Sequence, residues 1–502
     1  MPLRLDRFRS HEAREKGFAL VLTTISVTMM IPVVGLGIDA SLMYGVKARI
    51  TSAADAAAIS SARTLSLGQT VAQQEANAIS VATRFFNANF PPGTFLTNTS
   101  RSITSSVAET GYRTRTVTVN VSVTAPTIFM RYLNPNAVTV NTLGKASRRD
   151  VNVVMVVDRS GSMNDNGGCP AMKSAVVDFA SRFANYRDRV GLISYAKDYV
   201  TEFALQTTPG DFQNATTGIP AKASALTCND TTATGTGYWQ GYEQLKVVNE
   251  PGALNVILLM TDGQPNTVPF NFSATIDAWG YNGIRRNITA PAPQKYTTSS
   301  GSTFNATFSR SPCSTATGKS GMVNPFGNPL TGIFKPVGGA LISDRSNCRF
   351  AGNNGLVHQD LAFLPYQDIY GTDVTSGTYK STARWPSGHP DVGRIRSDNS
   401  SALTNAAMNQ VVNAAIRIRA NQTASSELNV ITYAIGFGGG IGENEFDMLR
   451  RAANVPGGGI GETLNNMYDP TKPEGLFVYA PSTGALNEAF VKIASEILRL
   501  AK

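Results

Sequence analysis

VNVVMVVDRSGSM (residues 151–163) predicts the architecture of the larger part of this chain. Its first seven residues are mostly β-branched or apolar and are too few for an amphipathic helix, so they predict a strand buried on both faces, as in a parallel sheet. Asp158, Ser160 and Ser162 follow the carboxyl end of that strand, where open α/β sheets place their ligand sites. Three oxygen side chains at alternate positions on a glycine-containing loop suit a hard divalent cation such as Mg²⁺.

Strands and helices alternate after this stretch. Apolar runs predict strands, and apolar residues at helical spacing predict helices, in the order helix 171–187, strand 189–195, strand 200–205, helix 238–248, strand 255–261, helix 402–420, strand 428–435, helix 443–453, strand 476–480 and helix 483–500. This alternation predicts a doubly wound α/β fold with a mostly parallel sheet and right-handed crossovers. The predicted domain covers residues 150–263 and 400–502.

The composition of the whole chain limits the classes of protein. Its 502 residues exceed one ordinary hydrophobic core, so two or more domains are expected. Only 16% of the residues are charged, and the net charge of +9 comes from scattered basic residues. Because no Lys/Arg cluster is interleaved with aromatic residues, no nucleic-acid partner is expected.

The N-terminus has the pattern of a membrane anchor. Residues 1–16 carry five Lys/Arg against three acids. Residues 17–38 carry no charge, and a helix of this length can cross a bilayer of about 30 Å. The positive-inside tendency predicts a cytoplasmic N-terminus, one transmembrane helix, and a bulk that is periplasmic or surface-exposed. A cleaved secretory signal is the alternative.

Residues 39–149 predict a small α+β module. The helical pattern continues to residue 67, a second helix is predicted at 69–86, and strands are predicted at 102–109, 114–123 and 137–143. Gly37, Asp39 and Tyr44, followed by ITSAADAAAIS at 50–60, resemble the N-terminal signature of TadE/TadG-like proteins of Flp (tight adherence) pilus assembly. This resemblance implies a pilin-like module, a role in pilus assembly and a location in the bacterial inner membrane. The chain departs at one position from the pattern of cleaved pilin-like proteins, in which Glu is the fifth residue after the glycine. Here Leu22 is the fifth residue after Gly17, so prepilin-peptidase processing is not expected.

The loops of the larger domain resemble a second known site. Asp158-Arg-Ser160-Gly-Ser162, a threonine in a glycine-rich loop, and Asp262-Gly263 resemble the metal-ion-dependent adhesion site of von Willebrand factor A domains. The resemblance implies direct hydroxyl ligands at Ser160 and Ser162, acids that act mainly through bound water at Asp158 and Asp262, and a threonine ligand. Thr236 is the predicted threonine rather than Thr234, because Gly235-Thr236-Gly237 directly precedes the predicted helix. The alternative for the first loop alone is an ordinary strand-to-helix turn.

The same resemblance implies a cofactor and a kind of partner. The expected cofactor is a divalent cation, with Mg²⁺ favoured over Mn²⁺ or Ca²⁺, and the expected partner is a protein or surface that offers a carboxylate. A non-enzymatic role follows, because no histidine lies near the three loops. The alternatives are a metal-dependent hydrolase and a structural periplasmic scaffold with no functional metal.

The four cysteines lie far apart and contain no CxxC pair, so zinc spacing is absent and three disulfide connectivities are possible. Under the resemblance, the loops next to Cys169 and Cys228 converge, which implies a disulfide between them and hence one between Cys313 and Cys348. Free or differently paired thiols are the alternative.

Residues 264–399 form a long insertion with few periodic apolar stretches. Connections within a domain are usually only a few residues long, and this one leaves directly after Asp262, so it is expected to form a specificity-determining surface at the metal face. His358 and His389 lie in it without spaced companions and are interpreted as surface or turn residues.

Overall fold

The computed structural model of the chain divides into two compact units. The first comprises Met1–Gly68 with Ala72–Arg148, and the second comprises Arg149–Ala501 with Gln69–Val71. The structure describes residues 9–94, 101–132, 138–196, 199–229, 231–272, 400–420, 428–456 and 468–501, with short segments and single positions between 275 and 395.

The described residues of the first unit form two α-helices, a three-stranded sheet and a short 3₁₀ helix at Met130–Tyr132. Its elements are α1 (Arg9–Thr64), α2 (Val71–Asn89), β1 (Arg101–Gly111), β2 (Thr114–Ala125) and β3 (Val138–Arg149). The strands lie in the order β1-β2-β3, and β1 and β2 are antiparallel. Strand β3 runs six residues beyond the predicted 137–143, through Gly144. A Cβ at Gly144 would lie 2.5 Å from the carbonyl oxygen of Ala54, so this glycine allows the strand to pass close to α1.

Small side chains of α1 pack against the sheet in the core of the first unit. The alanines of the AADAAA stretch are buried at positions 53, 54, 57 and 58, and they belong to the same core cluster as the buried valines of β2 at positions 117, 119, 121 and 123. Asp55, in the middle of the stretch, is exposed. The alanine-rich pattern therefore forms a close helix-to-sheet contact and leaves its one acid in solvent.

The N-terminal half of α1 is apolar on its surface. Within the described residues, α1 is the one helix long and apolar enough to cross a membrane, and this segment begins at Phe18. Between residues 18 and 39, every position is exposed except Gly35 and Asp39, which lie one helical turn apart. The segment that follows β2 covers these two positions.

The second unit is built on a sheet of six strands, β4 (Val151–Asp158), β5 (Arg189–Tyr195), β6 (Tyr199–Phe203), β7 (Leu254–Thr261), β17 (Val430–Phe437) and β18 (Leu476–Ala480). Their order in the sheet is β18-β17-β7-β4-β5-β6. All adjacent pairs are parallel except β5 and β6, which are antiparallel. The mostly parallel α/β sheet predicted from the sequence is therefore confirmed.

Helices cover both faces of this sheet. They are α3 (Gly161–Asp165), α4 (Gly168–Ser181), α5 (Ile219–Ala225), α6 (Thr234–Val248), α7 (Ser400–Ala420), α8 (Glu443–Ala452) and α9 (Thr483–Leu500). Along β4, Val153, Met155 and Val157 belong to the core with α4, α5 and α9, whereas Val154 and Val156 belong to the core with α6, α7 and α8. Burial on both faces explains why the sequence of β4 is continuously apolar.

Several element boundaries differ from the predicted ones. Helix α4 ends at Ser181 rather than residue 187, because the chain turns so that the Asp188 carboxylate accepts hydrogen bonds from the backbone N–H groups of Ala184 and Val151. Helix α6 begins at Thr234, four residues before the predicted start. The short helices α3 and α5 were not predicted.

The described parts of the insertion form short strands in three small sheets apart from the central sheet. The strands are β8 (Thr267–Phe272), β9 (Thr275–Ile276), β10 (Ile284–Arg286), β11 (Tyr296–Thr297), β12 (Phe304–Ser309), β13 (Gly321–Val323), β14 (Phe334–Lys335), β15 (Arg349–Gly352) and β16 (His358–Leu361). His358 is the first residue of β16. Cys313, Cys348 and His389 lie outside the described residues, and so does the predicted disulfide between the two cysteines.

Candidate metal centre

Two aspartates lie at the carboxyl ends of adjacent strands. β4 and β7 are paired in parallel from Val151 opposite Leu254 to Val156 opposite Leu259. Asp158 is the last residue of β4, and Asp262 directly follows β7. Their exposed fractions are 0% and 1%, so both carboxylates lie at the edge of the sheet but out of contact with bulk solvent.

The two serines of the first loop lie between these acids. The Ser162 Oγ donates to Asp262 Oδ1 at 2.7 Å, and Ser160 Oγ lies 3.0 Å from Ser162 Oγ and 3.5 Å from Asp262 Oδ1. The backbone N–H of Ser160 donates to Asp158 Oδ1 at 2.8 Å. Four of the five predicted site residues are therefore in one hydrogen-bonded cluster.

Two further side chains, which the sequence did not point to, complete the contacts of the acids. The Thr261 hydroxyl donates to Asp158 Oδ2 at 2.8 Å, and Asn166 Nδ2 donates to Asp262 Oδ2 at 3.3 Å. Thr261 ends the buried strand β7, and Asn166 lies in the turn between α3 and α4. The position of Thr261, a polar residue at a strand end next to Asp262, could have predicted its contact with the site. The contact of Asn166 could not be predicted, because it depends on how the turn folds.

The electrostatics of the cluster are unfavourable to two negative charges. Burial, followed by the charge of Asp262, raises the pKa of Asp158 to about 7. Burial also raises the pKa of Asp262, against the opposing effect of its hydrogen bonds from Ser162 and Asn166. Among the described residues, no Lys or Arg forms an ion pair with either acid, and Arg159 instead donates from Nε to Ser194 Oγ at 3.0 Å.

This donor set fits a hard divalent cation. Two carboxylates carry the charge that such an ion neutralises, and hydroxyl oxygens are ligands that Mg²⁺ or Ca²⁺ accepts alongside water. Buried charges are costly unless they are paired or coordinate a metal. The described residues contain no group of three or more His, Cys, Asp or Glu side chains that could hold a metal, so a metal here would depend on the serine and threonine hydroxyls.

Thr236, the threonine of the predicted site, is not hydrogen-bonded to the cluster of serines and aspartates. Thr236 lies in the first turn of α6, is fully buried, and its hydroxyl has no hydrogen-bond partner among the described residues. No hydrogen bond joins it to the serines or the acids. Its unpaired buried oxygen is available to a ligand, and its assignment stays a prediction.

Thr232 is a second candidate, which no motif in the sequence singles out. Its backbone is paired with Asn266, since the N–H of Thr232 donates to Asn266 Oδ1 and the N–H of Asn266 donates to the Thr232 carbonyl. The same loop reaches the first site loop through the N–H of Asn229, which donates to the Arg159 carbonyl at 2.9 Å. Thr232 is buried and lies on the segment that contacts the loops carrying Ser160 and Asp262.

Tyr195 fixes the strand ends around the site. Its hydroxyl donates to the Met260 carbonyl at 2.7 Å and so connects the end of β5 to the end of β7 across β4. A Cβ at Gly237 would lie 2.7 Å from Tyr195 Cδ1, so glycine at this position allows α6 to pack on the ring. This contact explains the glycine in a turn of helix where its propensity is poor.

A disulfide and the base of the insertion border the centre. Cys169, at the start of α4, is bonded to Cys228, in the loop before α6, with Cα atoms 6.1 Å apart. On another side, Gln264 Nε2 donates to Glu445 Oε1 of α8 at 2.7 Å. The covalent bond and this hydrogen bond restrain the loops that surround the acids.

Two parts of the chain match known families. Residues 152–288 match the von Willebrand factor type A domain family, and residues 17–64 match the Flp pilus-assembly TadE/G-like family. A search of curated proteins found no match to the chain. The second unit thus has a von Willebrand factor A fold, and the chain combines it with a TadE/G-like N-terminal region.

Solved structures that match parts of the chain include proteins of pili. The pilus adhesin SpaC from Lactobacillus rhamnosus GG is 14% identical with a TM-score of 0.35, and the match covers 80% of this chain and 35% of that one. The chain therefore spans about a third of the length of SpaC. The von Willebrand factor domain of the type V pili tip protein Mfa5 from Porphyromonas gingivalis is 16% identical with a TM-score of 0.36, covering 71% and 98%.

A third structure that matches the chain is proximal thread matrix protein 1 from the mussel byssus, solved with zinc in its metal-ion-dependent adhesion site (MIDAS) motif. It is 12% identical with a TM-score of 0.30, and the match covers 69% of this chain and 47% of that one.

Proposed function

We propose that this protein is a non-enzymatic, membrane-anchored component of Flp-type pilus assembly, located in the bacterial inner membrane with its bulk outside the cytoplasm. In this proposal its von Willebrand factor A domain binds a protein partner or surface through a divalent cation, most simply Mg²⁺. The cation would be held by Asp158, Ser160, Ser162, Asp262 and a threonine, Thr236 or Thr232.

One observation carries the metal-dependent part of the proposal. Asp158 and Asp262 are buried side by side, two serine hydroxyls lie between them, and no described cationic side chain neutralises them. Removing one partner of a buried charge cluster typically costs several kcal/mol, so a stable fold with two uncompensated acids favours an external positive charge.

Each residue of the chain has a separate role in this arrangement. Ser160 and Ser162 present neutral oxygens, which satisfy a cation without cancelling its charge. Asp158 and Asp262 supply the negative charge, and Thr261 and Asn166 orient them. A bound divalent cation would supply positive charge that a carboxylate from a partner can reach.

The membrane and pilus parts rest on the N-terminal region. The TadE/G-like match begins at residue 17, and the apolar surface of α1 from Phe18 to Ile38 suits lipid rather than water. An anchored helix that continues into a folded module would hold the larger unit outside the cytoplasm.

The decisive experiment compares Asp262→Ala with Asp165→Ala. Asp165 is an exposed acid at the end of α3, so its removal changes the local charge without touching the cluster. We expect Asp262→Ala in the full-length protein to weaken Mg²⁺ binding by at least about 100-fold, or about 2.8 kcal/mol, in calorimetric titration. Asp165→Ala should bind as the wild type does.

The same two variants test the biological role. Cells whose chromosomal copy carries Asp262→Ala should lose Flp-dependent adherence while the protein remains in the membrane fraction, and Asp165→Ala cells should adhere normally. Full adherence of the Asp262→Ala cells, or wild-type adherence in excess chelator, would exclude a cation-mediated contact.

A further inference from the structure

A segment that follows β2 covers helix α1 at Gly35 and Asp39. The covering segment is Ile128–Met130, which follows β2 and leads into a short 3₁₀ turn at Met130–Tyr132. A Cβ at Gly35 would lie 2.5 Å from Phe129 Cγ, so the phenyl ring packs directly on the helix backbone. All of these residues belong to the first unit.

This contact lies at the depth of the membrane boundary. The uncharged run of residues 17–38 would span about 33 Å as a helix, close to the hydrocarbon thickness of about 30 Å. Gly35 is three residues before the end of that run, about 4.5 Å deeper than Ile38 along the axis. Phe129 therefore reaches the level of the outer edge of the hydrocarbon.

Irregular backbone at such a depth needs its own hydrogen bonds, since lipid offers none. Asp39 supplies them. Its carboxylate accepts from the N–H groups of Ile128 at 2.8 Å, Phe129 at 3.0 Å and Met130 at 2.6 Å. One side chain thus satisfies three consecutive backbone donors.

The apolar side chains of the segment are free to meet lipid. Ile128 is 43% exposed, and Phe129 and Met130 are partly exposed. They continue the apolar surface formed by the large side chains of α1 at the same level, Val33, Val34, Leu36 and Ile38, which are all exposed.

We propose that Ile128–Met130 is a second membrane contact, a loop that enters the outer leaflet beside the anchor helix and sets the orientation of the first unit on the bilayer. Its partner is the lipid itself at the interface between headgroups and acyl chains. This inference rests on the proposed retention of α1 as an anchor.

The wild-type protein permits a direct test by photolabelling. The full-length chain is reconstituted into phosphatidylethanolamine and phosphatidylglycerol vesicles that contain a phospholipid with a diazirine near the glycerol end of its acyl chain. Trypsin then releases peptide 17–47 from the anchor, peptide 116–131 with the loop, and peptide 102–113 from β1. The Tyr112 end of peptide 102–113 is the matched control. Tyr112 is 66% exposed and lies at the far end of the hairpin, roughly 35–40 Å along the strand from the end that leads into the loop.

We expect label on 17–47 and on Ile128–Met130 of 116–131, with at least about tenfold less on 102–113. Label on 17–47 without label on 116–131 overturns the inference and leaves the anchor intact. No label on either peptide overturns both. Equal label on 102–113 also overturns it, because the whole surface then adsorbs to lipid.

A pair of variants sharpens the result. Ile128→Asp should reduce labelling of 116–131 several-fold and leave that of 17–47 unchanged, because a charged side chain is excluded from the acyl region. Tyr112→Asp, the same kind of change at the far end of the hairpin, should alter neither. Unchanged labelling of 116–131 in Ile128→Asp would contradict the lipid contact.

Discussion

Two apolar runs of this chain, residues 17–38 of α1 and the strand β4, each end at a buried aspartate, and the two aspartates have opposite surroundings. Asp39 accepts three backbone N–H groups and has no described acid beside it. Asp158 accepts one backbone N–H and one hydroxyl, and it lies in the same cluster as Asp262.

The difference shows how the surroundings of a buried acid indicate its role. A carboxylate whose lone pairs face N–H donors is already stabilised as an anion, and its work is to hold a loop. A carboxylate that faces another carboxylate and hydroxyl groups is disfavoured as an anion until positive charge arrives. By this criterion Asp39 is structural and Asp158 belongs to a ligand site.

The largest predicted effect is an opposite change in stability when each acid becomes an amide. Asp39→Asn places an NH₂ group against backbone donors, so the first unit should lose stability, with a fall of roughly 5 °C or more in its unfolding midpoint. Asp158→Asn removes the repulsion with Asp262, and its amide can donate to the Thr261 hydroxyl, which has the Gly263 carbonyl as an alternative acceptor at 3.2 Å. The second unit should therefore gain a few degrees in chelator.

Hydrogen–deuterium exchange in chelator measures the two units separately. Faster exchange at 128–130 in Asp39→Asn and slower exchange along β4 in Asp158→Asn are the expected results. A loss of protection at β4 in Asp158→Asn would show that the two acids do not differ in the way proposed.

The next effect is on pH dependence. The pKa of Asp158 is raised from 3.8 to about 7 in the folded protein, so the folded state holds a proton that the unfolded state releases, and the metal-free second unit should lose stability as pH rises between these values. Because a cation needs the ionised acid, Mg²⁺ affinity should rise by roughly one to two orders of magnitude from pH 5 to pH 7 and level off above.

Calorimetric Mg²⁺ titrations at intervals between pH 5 and 8 measure this profile. Asp165→Ala is the control and should follow the wild-type curve. A flat profile over this range would contradict proton release from the acids on binding.

The smallest predicted effect separates the threonines. Thr236→Val and Thr232→Val each remove one buried hydroxyl with little change of shape, and the threonine that binds the cation should weaken Mg²⁺ affinity by about tenfold when replaced. Thr234→Val tests the third hydroxyl of this segment, which is likewise buried and without a hydrogen-bond partner among the described residues. A loss in Thr232→Val alone would replace Thr236 by Thr232 in the site, and no loss in any of the three would remove threonine from it.

The sequence predicted the fold best where one interaction dominates. β4 was recognised because burial on both faces requires an unbroken apolar run. The sequence does not predict the start of α6, because Thr234-Gly-Thr-Gly has poor helix propensity. This segment is helical because Gly237 packs on Tyr195. The end of β3 was placed too early for a similar reason, since Gly144 is used there for close contact with α1.

The residues of the site likewise fall into those that the sequence predicts and those that it does not. Ser160, Ser162 and Asp262 directly follow strand ends, where sequence position alone predicts proximity. Asn166 and Thr232 reach the site through turns and loop pairing that no periodic pattern encodes. The role of Asp39 could not be inferred either, because its donors lie about 90 positions later in the chain.

The position of β4 in the sheet also determines how the protein bears mechanical load. If the chain is held through its membrane helix and a ligand is held at the loop after Asp158, tension enters β4 near Val151 and leaves at its other end. The load then runs through the covalent backbone of β4 from one end to the other, and the hydrogen bonds to β5 on one edge and β7 on the other do not have to carry it. Force can therefore pass from the membrane helix to the binding loop along a single strand without separating the strands of the sheet.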